Sequence, residues 1–260
     1  VCEMATVICK QVRYECAGTV EFLMDINTNE FFFIEVNPRI QVEHTITEEI
    51  TGIDIVRAQI MLSEGSNLND AIGKRNQSEI VCNGHAIQCR ITTEDPLNNF
   101  IPDYGRITAY RGATGMGIRL DGGTAYSGAI ITRFYDSLLE KVTAWAPTPE
   151  DAISRMDRAL REFRIRGVST NISFVENLLK HKKFRDNLYT TKFIDETPEL
   201  FQFSERQDRA TKLLNYIAKT TIEGHPEVKN KEKIKPFKFE FRNKIKSSED
   251  RSSVNLKSLL

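Results

Sequence analysis

The residues best suited to chemistry lie between Phe31 and His44, in the run FFFIEVNPRIQVEH. From Glu35 every second side chain can bind an ion or move a proton: Glu35, Asn37, Arg39, Gln41 and Glu43, with Ile34, Val36, Pro38, Ile40 and Val42 between. In extended backbone, residues two apart share a face. Two carboxylates, a carboxamide and a guanidinium then point one way and an apolar row the other. Alternation alone describes a half-buried strand with a wet face. The order of groups argues for more: metal-type oxygens come first, then a fork donor, then a candidate base.

Upstream, Gly18 to Asp25 (GTVEFLMD) is a second strand candidate, joined to Phe31 through Ile26 to Glu30, whose Asn-rich sequence suits a hairpin turn. Directly opposed residues of an antiparallel pair share a face. A three-residue loop, Asn27 to Asn29, sets Ile26 against Glu30 and therefore Glu21 against Glu35. A two-residue loop puts these carboxylates on opposite faces. The first register, or a bulge that restores it, is predicted, because facing carboxylates repel unless a cation lies between them. Glu21, Glu35 and Asn37 are hard oxygen donors that suit Mg²⁺ or Mn²⁺, especially with phosphate oxygens completing the shell at about 2 Å.

Other elements must hold these groups. A helix is predicted over Val1 to Glu15, and a second from about Thr47, with Ile53, Val56, Ile60 and Met61 on its buried side. Ser63 to Gln77 is polar and Gly/Asn-rich and reads as a crossing. From Ile80, short apolar–polar alternations punctuated by Gly and Asp-Pro predict an antiparallel sheet. Within it Ala86, Gln88 and Arg90 share one face, and His85, Ile87 and Cys89 the other. Arg90 matters only if its face looks at the carboxylate row. A helix over Pro149 to Phe163 is predicted from the Thr148 cap, Pro149 at the first position and Asp151 three residues after the cap, with Ile153, Met156, Leu160 and Phe163 buried. Another, Asn171 to His181, turns Phe174, Val175, Leu178 and Leu179 inward. Both are expected to cover the sheet.

With 260 residues, 40% hydrophobic and 28% charged, the chain has room for one large or two modest domains. No apolar run approaches the ~20 residues of a membrane span, and no signal-peptide pattern is present. A formal net charge of zero gives no support for a nucleic-acid partner. Cys2, Cys9 and Cys16 recur every seven residues, which on a helix is about 10.5 Å, too far for one metal site or a disulfide. Buried free thiols are expected. Cys82 and Cys89 are assigned no chemistry.

The run Gly18 to Thr47, followed by GHAIQCRITTEDP, FYDSLLEKV and RALREFRIRGVSTNI, resembles the biotin carboxylase component of biotin-dependent carboxylases, a branch of the ATP-grasp ligases. Glu205 to Val228 (ERQDRATKLLNYIAKTTIEGHPEV) is similar to the segment that follows this component in pyruvate carboxylases. The resemblance implies an α+β fold: the C-terminal portion of an ATP-grasp domain (1–78), an antiparallel-sheet biotin carboxylase C-terminal domain with covering helices (79–195), and a helical linker (196–228). It implies that Glu21, Glu35 and Asn37 hold the metal at the ATP phosphates. Arg39, the main-chain N–H of Val42 and Gln41 belong to the bicarbonate site, Glu43 is the base that deprotonates bicarbonate, and Arg90 stabilises the enolate of biotin.

The implied activity is ATP- and Mg²⁺-dependent carboxylation of biotin by bicarbonate through carboxyphosphate, leading in the full enzyme from pyruvate to oxaloacetate. Its ligands are ATP, Mg²⁺ or Mn²⁺, bicarbonate and biotin borne on a carrier. A homo-oligomer in the cytoplasm or mitochondrial matrix is expected. Alternatives are the corresponding component of an acetyl-CoA or propionyl-CoA carboxylase, or a noncatalytic remnant or dimerisation module. The family's glycine-rich flap and phosphate-binding lysines would precede Val1, so a start inside a larger protein and no ATP turnover by this chain alone are expected. The stretch 229–260 departs from the family: ten Lys or Arg against four Asp or Glu make it basic, with IKPFKFEFR alternating like an edge strand. It is assigned no role.

Overall fold

The structure, a computed structural model, describes residues 1–74, 76–123, 125–203 and 209–224. The chain divides into two compact units, Val1–Ser204 and Glu205–Leu260. The expected edge strand in 229–260 lies outside the described residues.

The first unit opens with helix α1, Cys2–Gln11, shorter than the predicted Val1–Glu15. Arg13 and Cys16 adopt positive φ, which no helix tolerates. Cys16 therefore leaves the expected stripe. The thiols are free, but Cys2 and Cys16 are exposed and Cys9 half-buried rather than buried, because α1 buries none of its residues. Cys82 is also exposed. Only Cys89 enters a core, where burial pushes its thiol up to about 12.

Strands β1 (Thr19–Met24) and β2 (Phe31–Asn37) form the antiparallel hairpin. Its turn differs from the three-residue expectation. Asp25 N–H donates to the Glu30 carbonyl at 2.9 Å, leaving a four-residue turn, and Asp25 Oδ1 accepts from Asn27 N–H at 2.8 Å. From Met24↔Phe31 to Phe22↔Phe33 the register follows that turn. It then slips by one, with Ile34 as the extra residue, so that Glu21 meets Glu35, Val20 meets Val36 and Thr19 meets Asn37. Of the apolar row, Ile34 and Pro38 are exposed and Val36, Ile40 and Val42 half-buried, and the preceding Phe31, Phe32 and Phe33 are all exposed.

The strand does not continue to His44 as the alternation suggests. Pro38 has no N–H to extend the ladder, Arg39 N–H turns back to the Asn37 carbonyl at 2.8 Å, and helix α2 already starts at His44. The single helix expected from Thr47 is two. Gly52 in the left-handed conformation ends α2 (His44–Thr51), and Asp54 caps α3 (Ile55–Ser63) through the Arg57 N–H at 2.7 Å. Ala58 is the buried residue of α3, whereas Val56 and Ile60 are exposed, against the expected stripe. The polar crossing holds a short helix, α4 (Leu68–Ile72), capped by Asn67 and ended by Gly73.

The sheet region contains β3 (His85–Thr92), β4 (Glu94–Asp95), β5 (Ile101–Pro102), β6 (Gly105–Arg106), β7 (Ala109–Arg111), β8 (Ile118–Gly122), β9 (Ile130–Ile131), β10 (Leu138–Ala146) and β11 (Arg164–Arg166). Every pairing is antiparallel. The central sheet runs β3–β10–β8, flanked by two-stranded pairs β4–β5, β6–β9 and β7–β11. Helix α5 (Pro149–Glu162) forms where its cap predicts, with Thr148 Oγ1 accepting from Asp151 N–H at 3.2 Å. Ile153, Met156, Leu160 and Phe163 are buried against Cys89, Ile91, Val142 and Ala144 of the sheet. Each such side chain contributes about 1.5–3 kcal/mol.

Helix α6 (Ile172–Lys180) packs against α5, and α7 (Lys182–Arg185) follows it. Phe174, Phe193 and Leu200 make a second core with Phe100 and Phe201. Among the described residues no helix is long and apolar enough to cross a membrane. In the second unit, helix α8 (Arg209–Glu223) leaves Leu213, Leu214, Ile217 and Ile222 exposed.

Candidate active site

The bulge at Ile34 puts Glu21, Glu35 and Asn37 on one face of the hairpin. Asn37 Nδ2 donates to Glu21 Oε1 at 2.9 Å and to Glu35 Oε1 at 2.8 Å. The carboxamide thus sets two N–H dipoles between two like charges and offsets their repulsion. Gln41 has left the strand, yet its Nε2 reaches the same Glu21 Oε1 at 2.9 Å, while its Oε1 is buried with no hydrogen-bond partner. A cation between the carboxylates would replace the Asn37 N–H groups, and a half-turn of that amide would offer Oδ1 as a third oxygen. Among the described residues no group of three or more His, Cys, Asp or Glu could hold a metal ion. The donor set of two carboxylates and one carboxamide fits a hard divalent ion whose remaining ligands come from a phosphate-bearing substrate.

Glu43 sits at the start of α2, and Arg90 reaches it from β3. Arg90 Nη2 lies 3.0 Å from Glu43 Oε2, with both side chains about half exposed. The face of β3 that carries Arg90 therefore does look at the polar row. Arg39 is exposed and donates from Nη1 to its neighbour's carbonyl, Ile40 O, at 3.1 Å. Of the predicted residues, Glu21, Glu35, Asn37 and Gln41 form one connected cluster and Glu43 with Arg90 a second. Arg39 joins neither through a hydrogen bond.

Between the clusters lies a chain of polar groups to which the sequence reading assigned no role. Gln88, on the Arg90 face of β3, donates from Nε2 to the Val42 carbonyl at 2.9 Å and to Thr45 Oγ1 at 2.5 Å. Thr45 Oγ1 lies 2.7 Å from Thr143 Oγ1 of β10, both residues with 0% exposure. This chain fixes the turn from Gln41 to His44 on the sheet. The sequence did place Gln88 beside Arg90, but Thr45 and Thr143 are 98 residues apart, and nothing local couples them.

A charged group secures the far side of α2. Buried Glu48 accepts from Ile55 N–H at 2.8 Å and lies 2.7 Å from Arg119 Nη1 and 3.2 Å from His44 Nδ1. Arg119 also forks onto Asp121 at 2.8 and 3.0 Å. The Asp121 bond, opposed by burial and aided by Glu48, holds the guanidinium above its ordinary range. His44 Nε2 faces Lys141 Nζ at 3.4 Å. An open cavity of about 680 Å³ adjoins this group, lined in part by Ile53, Val56 and Ile60.

Two family models match the chain. Residues 88–196 match the biotin carboxylase C-terminal domain, and residues 1–71 the ATP binding domain of the carbamoyl-phosphate synthase L chain. Pyruvate carboxylase of Bacillus subtilis is 54% identical over 234 residues, 90% of this chain and 20% of that protein. The human enzyme, named pyruvate carboxylase, mitochondrial, is 54% identical over 217 residues, 84% of this chain and 18% of its own length. The chain thus spans about a fifth of the curated relatives it matches.

Among solved structures, the complete multifunctional pyruvate carboxylase of Rhizobium etli superposes with a TM-score of 0.77 at 67% identity, over 87% of this chain and 21% of that one. A biotin carboxylase domain dimer of Hydrogenobacter thermophilus 2-oxoglutarate carboxylase, in complex with MgADP, ADP and bicarbonate, gives 0.74 at 41% identity, over 78% of this chain and 43% of that one. An antiparallel sheet backed by α5, a carboxylate hairpin and these matches at both ends of the unit lead to one assignment: the chain carries an ATP-binding domain portion followed by a biotin carboxylase C-terminal domain and is homologous to a part of pyruvate carboxylases.

Proposed function

We propose that this chain contributes the metal, bicarbonate and biotin side of the biotin carboxylase site in a pyruvate carboxylase, within an ATP-grasp portion (1–78) and a biotin carboxylase C-terminal domain (79–195) followed by a helical linker (196–228). The observation that carries this reading is the 3.0 Å approach of Arg90 Nη2 to Glu43 Oε2, which joins a candidate base and a candidate enolate-stabilising cation from separate elements.

The chemistry runs from the residues. Bicarbonate is a poor nucleophile, and it gains an attacking oxygen when Glu43 takes its proton, a step typically worth about 10² to 10⁴ in rate. Arg39, Gln41 and the Val42 N–H hold the anion. Attack on the γ-phosphorus of ATP gives carboxyphosphate and ADP, with Glu21, Glu35 and Asn37 positioned to hold Mg²⁺ or Mn²⁺ at the phosphates. The metal, when bound, neutralises charge on the triphosphate. Carboxyphosphate yields carbon dioxide and phosphate, phosphate takes the ureido proton of carrier-borne biotin, and the biotin nitrogen captures carbon dioxide. Arg90 faces the enolate oxygen that develops, as donors at oxyanion sites do. Pyruvate is the final acceptor in the whole enzyme. The Hydrogenobacter thermophilus biotin carboxylase domain, a dimer in complex with MgADP, ADP and bicarbonate, supports the same ligands and a homo-oligomer here.

The test is to exchange residues 1–203 for the matching stretch of the Bacillus subtilis enzyme and to follow bicarbonate-dependent ADP release. Activity in the exchanged enzyme and its loss by about 10²-fold or more in Glu43→Gln are expected. An active chimera indifferent to both Glu43→Gln and Arg90→Ala would refute the reading.

A further inference from the structure

Arg90 stands on an edge strand: the central sheet runs β3–β10–β8, so among the described residues one side of β3 has no strand neighbour. Residues two apart on a strand turn their main-chain groups to the same side, and an open edge leaves such groups without ladder partners. At Arg90 and Thr92 a single residue meets them. Asn171, immediately before α6, donates from Nδ2 to the Arg90 carbonyl at 2.9 Å. Its Oδ1 accepts from the Thr92 N–H at 3.0 Å, and its own N–H donates to the Thr92 carbonyl at 3.2 Å. The carboxamide imitates a peptide group of a missing strand, offering one donor and one acceptor at the spacing the edge requires.

We propose that Asn171 is the positioning residue for Arg90, locking the strand edge so that the guanidinium meets Glu43. Three features single it out. Asn171 is buried, so water does not substitute freely for its bonds. Its partners are the residue that bears the guanidinium and the one two places on, where a slip of the edge would turn Arg90 away from the polar row. It also enters from the α5–α6 side, so the helices that cover the sheet are tied to the orientation of Arg90 through one side chain. A glutamine would overreach, and an aspartate would oppose its second oxygen to the Arg90 carbonyl. The positioning role rests on the function proposed for Arg90; the geometry of the lock does not.

The experiment therefore has two arms. In the 260-residue chain, amide hydrogen exchange and ¹⁵N relaxation are compared for the parent, Asn171→Ala and Asn171→Asp, with melting followed on Trp145. In Asn171→Ala the Thr92 amide is expected to exchange about tenfold faster or more, and the Arg90 Nε–H to lose order, while the Val142 and Ala144 amides keep their protection. In Asn171→Asp the Thr92 amide stays protected because its acceptor remains, and the Arg90 Nε–H is loosened. Should Asn171→Ala not fold, the aspartate variant alone decides. An Arg90 Nε–H as ordered as in the parent in either folded variant overturns the proposal, since Asn171 would then only cap an edge.

In the exchanged carboxylase, Asn171→Ala is expected to cut biotin-stimulated ADP release about tenfold or more, as small misplacements do. Biotin-independent, bicarbonate-dependent release should change less than about twofold, because the turn that carries Glu43 is held by Gln88 and Thr45, and the hairpin's carboxylates are bonded by Asn37, not by Asn171's partners. Equal losses in both overturn the proposal. An inactive parent chimera counts against the function proposed above and leaves the exchange and relaxation arm to decide this one.

Discussion

Thr143 and Thr45 offer a sharp test of how the turn from Gln41 to His44 is held. Their hydroxyls are 2.7 Å apart at 0% exposure, and Gln88 Nε2 divides its two N–H groups between Thr45 Oγ1 and the Val42 carbonyl. In Thr143→Val a methyl replaces one hydroxyl, and the buried Thr45 hydroxyl keeps the Gln88 N–H but loses its second partner, at a cost of about 1–2 kcal/mol. Thr45→Val does more, because it strands the Thr143 hydroxyl and one N–H of Gln88 together, at about 2–4 kcal/mol.

The double variant removes both hydroxyls and leaves only the Gln88 N–H unmet. Its cost is therefore below that of Thr45→Val alone, about 1–2 kcal/mol. At about 2–4 °C per kcal/mol for a unit of this size, Thr45→Val should melt lowest of the three and the double variant several degrees above it. The chain's single tryptophan, Trp145, lies two residues along β10 from Thr143 and reports the transition by fluorescence. A double variant that melts below Thr45→Val would show that the two hydroxyls act independently, and the account of the buried chain would be wrong.

Three further outcomes are expected. Burial raises the Glu140 carboxyl above its ordinary value, against the pull of its hydrogen bond from Tyr110 and with Asp121 adding to the rise. The folded state holds that proton more tightly, so this contribution is full below the ordinary carboxylate value and is lost as pH rises through the raised one; Glu140→Gln should flatten the fall of the urea midpoint over that window. Mn²⁺ added to about 1 mM, a weak range fitting two carboxylates without phosphate ligands, should broaden the Asn37 side-chain NH₂ resonance, and Glu21→Gln with Glu35→Gln should abolish the effect; broadening that persists in the double variant would place the ion elsewhere. At Gly84, φ is +69° and an added Cβ would stand 2.6 Å from the Ala146 carbonyl and 2.7 Å from Trp145 Nε1. Gly84→Ala should thus cost about 2 kcal/mol or more and shift Trp145 emission by disturbing its 2.7 Å bond to the Asn83 carbonyl, and an unchanged melt would refute the strain argument.

Much of this was legible in the chain because the signals are local. Thr148, Pro149 and Asp151 define the start of α5 by chemistry within four residues, and the stripe from Ile153 to Phe163 is a helical period against an apolar sheet. The Glu21–Glu35 juxtaposition was expected because a cation between facing carboxylates requires it, through a three-residue loop or a bulge that restores the same register, and the bulge is what forms. The misses have physical causes too. Alternation past Asn37 mimicked a strand, but Pro38 could not extend the ladder, and the later polar groups gather through a turn. The helix expected from Thr47 is split because Gly52 in the left-handed conformation ends α2 and Asp54 caps α3, and these local stops override apolar spacing. Val56 and Ile60 carry that spacing but not burial. The roles of Gln88, Thr45, Thr143 and Asn171 were not legible because they arise only when distant segments meet.

The extra residue at Ile34 ties two lengths together. A loop of even count delivers the strands one step out of phase, and the bulge repays that step before Glu21 is reached. Deleting Ile34 would make the count of residues between the two glutamates even, and the same turn would then pair them through a regular ladder. Keeping Ile34 while losing the bulge would set Glu21 against Ile34 and turn Glu35 to the other face. The bulge is thus required by the odd count between the glutamates, and a chimera assembled from related hairpins should keep its ion-binding face only where that count and the bulge agree.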